Sequence, residues 1–240
     1  MGKKGMFYKL LVLGLVIGGL SGCVKSGSNY TSNNNAVTFL TVMNLTANPV
    51  DIYFNGTKAS SASGVAAGFF DQRYEQLAPG AYDIEFKALG KDSLLGGVPS
   101  TLYDSLDFNT LILYNKAGSA TTSAVRIVDD YSTISPTAAN YRFFNMCPDA
   151  PAVDLYIGST TAAQTGRTTA DNVNNTGYDA FQPITPGSYN ITVKKANSDS
   201  VIATASGVSM AAQTAQTIFL QGHAGNTANP VALKVLVASY

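Results

Sequence analysis

The side chains that most often carry out chemistry are scarce in this chain of 240 residues. His223 is the sole histidine, and it lies in the glycine-rich segment Gln-Gly-His-Ala-Gly at residues 221–225. A zinc site needs three or four nitrogen, sulfur or carboxylate ligands, and a serine triad needs a histidine in a cleft beside an acid. The sequence also lacks the nucleophile elbow Gly-x-Ser-x-Gly. The sequence therefore predicts no catalytic residue and no enzyme, and it predicts that His223 is a solvated loop residue.

Two aspartates, Asp149 and Asp154, are the candidates for a metal site. They bracket one loop of the second half, and carboxylate oxygens are ligands that Ca²⁺ prefers. Each also has a structural interpretation. Asp149 can cap a turn through its own backbone, and Asp154, like Asp51 in the first half, can face water on an alternating strand. The sequence favours the structural interpretation, so it predicts no cofactor and leaves Asp149 and Asp154 as weak calcium candidates.

The N-terminal segment has the order of a secretory signal. Lys3, Lys4 and Lys9 form a positive region, residues 10–20 are apolar or glycine, and Leu-Ser-Gly-Cys occupies residues 20–23. The apolar run is about half of the ~20 residues that a membrane-spanning helix needs. Leu-Ser-Gly-Cys is similar to the bacterial lipobox, and this resemblance implies that Cys23 is diacylated on sulfur and becomes the first mature residue. Residues 1–22 are thus predicted to be a lipoprotein signal peptide.

A lipid anchor on Cys23 would hold the protein at a membrane. Each buried CH₂ contributes ~0.8 kcal/mol, so two or three acyl chains, such as palmitate, anchor a protein stably. Residues 23–35 are rich in Ser, Asn and Gly and are predicted to form a flexible tether. The predicted location is the cell envelope, anchored in the outer membrane, with the periplasmic and the surface face both left open. Cys147 then has no disulfide partner, and it is predicted to be a small buried apolar residue.

The sequence after the tether repeats one pattern. Leu-Ala-Pro-Gly-Ala-Tyr at residues 77–82 returns as Ile-Thr-Pro-Gly-Ser-Tyr at 184–189. Asn-Thr-Leu-Ile-Leu at 109–113 returns as Gln-Thr-Ile-Phe-Leu at 216–220. Both pairs share an offset of about 107 residues, and solenoid repeats run only roughly 20–50 residues. We therefore predict two tandem domains, at residues 36–131 and 140–240, joined by a linker at 132–139.

We predict that both domains consist of β-strands. Apolar and polar residues alternate over short segments at ~8–12-residue spacing, with turn residues between them. Asn55-Gly56 is the strongest hairpin signal, because a type I′ turn needs positive φ at both central residues. The predicted fold class is all-β, with two tandem immunoglobulin-like β-sandwich domains of about seven strands each. The predicted inward-facing residues are Val50, Ile52, Phe54, Tyr82, Ile84, Phe86, Leu111 and Leu113 in the first domain and Val153, Leu155, Ile157, Tyr189, Ile191, Val193, Ile218 and Leu220 in the second.

A Pro-Gly-x-Tyr turn recurs at Pro79, Gly80 and Tyr82 and at Pro186, Gly187 and Tyr189. Pro fixes φ at the first corner of a type II turn, and Gly accepts the positive φ that follows. The Tyr hydroxyl can then donate to backbone upstream, as in the tyrosine corner of immunoglobulin-like sandwiches. The sequence predicts positive φ at both glycines and a structural role for both tyrosines, and it leaves an exposed ligand-stacking Tyr as the alternative.

Residues 145–158 carry a family resemblance. Their sequence, Asn-Met-Cys-Pro-Asp-Ala-Pro-Ala-Val-Asp-Leu-Tyr-Ile-Gly, is similar to the signature of the bacterial domain of unknown function 4397, with Cys147 where Ser is usual. The likeness extends over about residues 140–226, and the first half matches in part through residues 49–56. The resemblance implies an exported, sandwich-like, non-catalytic module, often in tandem on envelope lipoproteins. It implies no substrate and no functional residue.

Charge and composition complete the prediction. The chain has 15 basic and 15 acidic residues, which gives no electrostatic footprint for nucleic acid. We expect a lipid-anchored, non-catalytic binding module, whose partner is a glycan or a protein that contacts Asn-rich and Tyr-bearing loops. The alternative is a structural spacer or assembly subunit of the envelope that binds through strand edges. A hydrolase is a third alternative that the sequence favours less.

Overall fold

The computed structural model describes residues 36–70, 73–227 and 229–238. These residues belong to one compact unit that runs from Asn35 to Tyr240. The predicted signal peptide, Cys23 and the tether lie outside the described residues.

The described chain is all-β, as the sequence predicts. Over residues 36–70 and 73–131 the first half has eight strands: β1 (Thr38–Asn44), β2 (Val50–Phe54), β3 (Thr57–Lys58), β4 (Glu75–Leu77), β5 (Gly80–Ala88), β6 (Leu94–Tyr103), β7 (Phe108–Asn115) and β8 (Thr122–Val128). The second half has eight more: β9 (Ala139–Asn145), β10 (Val153–Ile157), β11 (Gln164–Arg167), β12 (Gln182–Ile184), β13 (Gly187–Lys195), β14 (Val201–Met210), β15 (Ala215–Gln221) and β16 (Ala232–Val237). Two single-turn 3₁₀ helices, Asp171–Val173 and Thr176–Tyr178, lie between β11 and β12.

Each half forms two four-stranded sheets with the same topology. The orders are β4-β1-β7-β8 and β3-β2-β5-β6 in the first half, and β12-β9-β15-β16 and β11-β10-β13-β14 in the second. β1 pairs in parallel with β7, and β9 pairs in parallel with β15. The first half has one strand more than the predicted seven. The difference lies in very short edge strands, since β3 and β4 have only two and three residues. The Asn55-Gly56 turn has φ of 49° and 75°, as a type I′ hairpin requires.

Each half contains its own apolar core between its two sheets. All sixteen residues that alternation predicts to face inward belong to these two clusters. Among them, Phe54, Tyr82 and Tyr189 are partly buried at the margins, and the others are buried. The period-two alternation therefore located the core faces correctly, because successive side chains of a strand point to opposite faces of the sheet.

A third apolar cluster joins the two halves. It contains Met43, Ile112 and Tyr114 from the first half, and Phe144 and Phe219 from the second. These residues lie on β1, β7, β9 and β15, which are therefore covered on both faces. The sheets β4-β1-β7-β8 and β12-β9-β15-β16 pack against each other, and the other two sheets lie outside them. Folding of the two predicted domains as separate units stays a prediction.

The repeated Pro-Gly-x-Tyr turn forms the hydrogen bond of a tyrosine corner in both halves. Tyr82 Oη donates to the Ala78 carbonyl at 2.8 Å, and Tyr189 Oη donates to the Thr185 carbonyl at 2.6 Å. The hydroxyl reaches four residues upstream in each case, so both rings lie across the turn that precedes their own strand.

The prediction of positive φ at Gly80 and Gly187 is wrong. Both glycines begin a strand, where they pair with Tyr103 and Met210, and neither is among the residues with positive φ. Gly187 instead leaves room for the tyrosine ring, and Gly80 does so much less. A Cβ on Gly187 would lie 3.3 Å from the Tyr189 ring, whereas a Cβ on Gly80 would lie 3.8 Å from the Tyr82 ring.

This difference predicts unequal effects of the same substitution in the two halves. Gly80→Ala should stabilise the protein by up to about 0.4–1 kcal/mol, because alanine reduces the entropy of the unfolded chain where the backbone accepts it. Gly187→Ala should lose this gain, since its Cβ is crowded by Tyr189. Thermal melts of the two single variants test this, and equal shifts in Tm would contradict it.

Candidate functional site

The aspartates of the two repeated Val-Asp-x-Tyr segments, Asp51 and Asp154, are buried and bind neighbouring loops through hydrogen bonds. The Asp51 carboxylate accepts from Gly90 N at 2.9 Å and Ser60 Oγ at 3.1 Å, and it pairs with Lys58 at 2.8 Å. The Asp154 carboxylate accepts from Gly166 N at 2.8 Å and from a second backbone N–H, that of Asn197, at 3.2 Å. The expectation that Asp51 and Asp154 face water is therefore wrong, because each side chain ties neighbouring loops to its strand.

The charge state of Asp51 follows from these contacts. The hydrogen bond from Lys58 and the N–H of Gly90 lower the pKa of the Asp51 carboxyl, and they outweigh the opposing effect of its burial. A carboxylate with a lowered pKa is held in its charged form, in which it can accept all of these hydrogen bonds at once. All of these partners lie in the first half, so Asp51 stabilises the structure of that half.

The other calcium candidate, Asp149, has separate partners. Its Oδ2 accepts from Ala224 N at 3.0 Å and lies 3.5 Å from His223 Nδ1. Among the described residues, none of these partners of Asp149 is shared with Asp154. In the described ranges no group of three or more His, Cys, Asp and Glu side chains is placed to hold a metal ion. The structure thus gives the calcium hypothesis no ligand cluster.

His223 is not the solvated loop residue that the sequence predicts. Its side chain is 18% exposed, and its Nε2 is buried with no hydrogen-bond partner. The loop folds back because Gly222 adopts φ of 95° directly against the Pro230 carbonyl, where any Cβ would clash. His223 N then donates to the Asn229 carbonyl at 2.9 Å. Gly222 could have indicated from the sequence that this loop folds back, since a close backbone approach needs Gly.

His223 lines a pocket at the junction of the two halves, which we call the junction pocket. It has a volume of about 450 Å³. The first half supplies the turn after β1, the start of β6 and the β7–β8 hairpin, and the second half supplies His223. The lining residues are Thr46, Ala47, Asn48, Leu94, Leu95, Asn115, Ala120, Thr121, Thr122 and His223.

The lining of the junction pocket combines unsatisfied polar groups with an aliphatic patch. Asn115 Oδ1 and His223 Nε2 are buried and have no hydrogen-bond partner among the described residues. A buried polar group without a partner costs about 1–3 kcal/mol. Leu94 and Leu95 supply the apolar part, and Leu94 is 59% exposed. A ligand with hydroxyl groups and one apolar face matches this combination.

A buried ion pair crosses the junction on the other side of the shared core. Arg142 Nη2 of the second half lies 2.5 Å from Asp129 Oδ1 of the first, and both side chains are at most 2% exposed. Arg142 also donates through Nε to Thr217 Oγ1 at 2.9 Å and stacks over the Phe181 ring at 4.5 Å. The guanidinium therefore contacts a carboxylate, a hydroxyl group and an aromatic ring.

The Asp129 carboxylate is satisfied from the first half. Its Oδ2 accepts from Thr110 Oγ1 at 2.6 Å and from Tyr74 Oη at 2.8 Å. Tyr74 and Tyr131 share a hydroxyl contact of 2.6 Å. Burial and the Asp129 charge raise the pKa of Tyr74, so its hydroxyl remains a donor. These groups form one polar network that spans both halves.

Cys147 is a free, buried cysteine, as predicted. Burial raises the pKa of its thiol, which disfavours the nucleophilic thiolate. Cys147 N donates to Asn145 Oδ1 at 3.2 Å, and Thr46 N donates to Asn44 Oδ1 at 3.1 Å at the equivalent place in the first half. The sequence analysis missed the asparagines that end β1 and β9, Asn44 and Asn145, although their recurrence could have identified them.

The strand content, sheet topology and internal repeat define the protein as an all-β, sandwich-type protein. Residues 38–156 match the model of DUF4397, a domain of unknown function. This region of the chain belongs to that family. The match covers the strands of the first half, β9 and residues 153–156 of β10, whereas the sequence analysis placed the resemblance mainly at residues 140–226. No curated protein matches the chain. Over the residues that the structure describes, no helix is long and apolar enough to cross a membrane.

The Asp129–Arg142 pair predicts a stability difference between single and double variants. Asp129→Asn should destabilise the protein by about 3–5 kcal/mol, because it leaves the Arg142 charge buried without a counterion. Asp129→Leu combined with Arg142→Met should be clearly more stable than Asp129→Asn, since no buried charge remains.

Urea unfolding measures these free energies. Asp104→Asn is the control, because Asp104 is exposed and such changes usually stay within about 0.5 kcal/mol. A double variant no more stable than Asp129→Asn would show that the pair itself, and not the unpaired charge, determines the loss.

Proposed function

We propose that this protein is a lipid-anchored component of the cell envelope whose β-sandwich body is a non-catalytic binding module for a glycan or a partner protein. The anchor is supported by the basic region, the apolar run and the Leu-Ser-Gly-Cys sequence at residues 1–23. Acylation of Cys23 would tether the compact unit through residues 24–35, rich in Ser, Asn and Gly. The outer membrane is the proposed site of attachment.

The observation that carries the binding role is the chemistry of the junction pocket. A sugar presents hydroxyl groups that donate and accept, together with the apolar face of its ring. Hydroxyls can hydrogen-bond with the polar side chains of the lining, which include Asn115 and His223, and the aliphatic Leu94–Leu95 pair can cover the ring face. Thr46, Asn48 and Thr121 add further donors and acceptors. We therefore favour a glycan over a protein as the occupant of this pocket.

A structural spacer or assembly subunit is the second candidate. The first half exposes Leu102 and Leu106, at 57% and 70%, and Val128 at 50%. Arg126 Nη1 donates to the Leu102 carbonyl at 2.9 Å, which brings this part of β6 next to β8. An exposed apolar patch often marks contact with another protein. Concentration-dependent sedimentation with no glycan binding would favour this candidate.

A glycan array with the chain from Gly27 to Tyr240 tests the binding role. This chain retains the whole compact unit. We expect binding to a subset of glycans, and we expect Asn115→Ala and Thr121→Tyr to weaken it, the first by removing a polar side chain from the lining and the second by occupying the pocket. Thr227→Tyr is the matched control, because Thr227 is exposed in the corresponding loop of the second half and does not line the pocket. No bound glycan, or binding unaffected by both pocket variants, would refute glycan binding at the junction pocket.

The two cysteines test the anchor. Metabolic labelling with an alkyne analogue of palmitate should label the wild-type protein, and Cys23→Ala should abolish the label. Cys147→Ala is the matched control and should retain it, because Cys147 is buried. Undiminished labelling of Cys23→Ala would rule out the proposed lipidation site.

A further inference from the structure

The first half contains an apolar pocket between its two sheets, which we call the intersheet pocket. It has a volume of about 330 Å³, at the lower end of the ~300–1,000 Å³ that ligand sites occupy. Its walls are largely aliphatic or aromatic, from Leu40, Val42, Ile52, Phe54, Val65 and Leu77. We propose that the intersheet pocket binds a single unbranched aliphatic chain, with the polar head of the ligand at the pocket mouth.

The repeat supplies an internal comparison for this pocket. Leu40 pairs with Asn109 and Tyr141 pairs with Gln216, and Asn109 and Gln216 are equivalent in the repeat. Leu40 and Tyr141 therefore occupy the same position in the two halves. By the same registers, Val42 is equivalent to Phe143. The second half thus carries a larger side chain at both positions.

Burial shows what the larger side chains do. Phe143 is fully buried, whereas Val42, on the equivalent central strand, is only partly buried. Tyr141 spans the space toward the edge strand, where its Oη donates to Gln182 Oε1 at 3.1 Å. The first half has Glu75 at the position of Gln182. The second half fills with Tyr141 and Phe143 the space that the first half leaves as a pocket.

An inward-facing valine that remains accessible on a central strand is unusual, because sandwich cores are packed to high density. Covering this surface with an apolar ligand would be favourable in the same way as burial on folding. Two sheets that pack face to face lie about 10 Å apart, so the space between them is a flat slot. A flexible aliphatic chain fits a flat slot of this size better than a bulky ring system does.

The mouth of the intersheet pocket defines the other end of the ligand. Besides the buried Thr41, the polar residues of its lining are Ser60, Ser61, Arg73, Glu75 and Gln76. They provide hydroxyl, amide and both signs of charge, and all of them except the partly buried Ser60 are exposed, so this polar part of the lining meets solvent. An amphiphile with one chain and one small polar head matches this distribution.

This inference is independent of the junction pocket, because the two pockets share no lining residue. A failure of glycan binding would therefore leave it unaffected, and the reverse also holds.

Calorimetric titration of the chain from Gly27 to Tyr240 with decanoate, and separately with decanol, tests the proposal. We expect saturable binding of at least one of them at one site per chain. Val42→Phe and Leu40→Tyr introduce the residues of the second half, and we expect each to raise Kd by at least about tenfold while the protein still melts cooperatively. Val128→Phe is the control, since Val128 is 50% exposed and lies outside the intersheet pocket.

The outcomes are distinguishable even if one variant fails to fold. If Leu40→Tyr overpacks the core and unfolds, Val42→Phe decides the question, because Val42 is only partly buried and has open space beside it. Stronger binding of decanoate than decanol would assign an anionic head, and the reverse a neutral one. No saturable binding of either amphiphile, or unchanged binding to a folded Val42→Phe variant, would overturn the proposal.

Discussion

The central strands β1, β7, β9 and β15 are covered on both faces, and the rest of the structure depends on this double burial. One face of each central sheet closes the core of its own half, and the other face packs against the other half. Alternation normally leaves one face of an antiparallel sheet polar, and these strands do not alternate. Residues 111–114 read Leu-Ile-Leu-Tyr and residues 218–220 read Ile-Phe-Leu, so both faces are apolar and both need a partner.

The polar network at the junction has a different role from the apolar packing. Removing Arg142 and Asp129 from water costs several kcal/mol per ion, and their attraction repays this only with good geometry and further hydrogen bonds. Those bonds are present, since Thr217, Thr110 and Tyr74 satisfy the remaining atoms. We infer that the apolar cluster supplies most of the stability of the junction. The ion pair fixes the register of one half on the other, because a shifted arrangement would bury an unpaired charge.

The sequence predicted the parts of the fold that depend on local patterns. Alternation placed the inward rows, including Ile84 and Ile191, on the correct faces, and the repeat predicted a shared topology. The contact between the halves was not deduced, although the run at residues 37–43 is apolar on both faces. Such a run identifies a doubly covered strand, but it does not say whether the second cover belongs to the same sandwich or to another half.

The sites were harder to predict because they depend on contacts between distant segments. Asp149 and His223 are 74 residues apart in sequence, and only the folded chain brings them within 3.5 Å. The buried role of Asp51 depends on Gly90, a turn on another hairpin. The glycine prediction at Gly187 failed for a related reason. The sequence shows which residues are typical of a turn, but it does not show that Gly187 already pairs with Met210 on the neighbouring strand.

The two halves have kept the same framework and changed what it encloses. Asp51 and Asp154 each accept from the backbone N–H at the equivalent turn position, Gly90 and Asn197, and the tyrosine corners of Tyr82 and Tyr189 recur. The positions of Leu40 and Val42 have no structural role that would forbid larger residues, since Tyr141 and Phe143 stand in their place in the second half. A duplicated framework can stay stable when only one copy fills this space, because the shared apolar cluster holds both copies together. The half with the smaller residues is then free to bind a ligand, while the other half is a filled core that supports it.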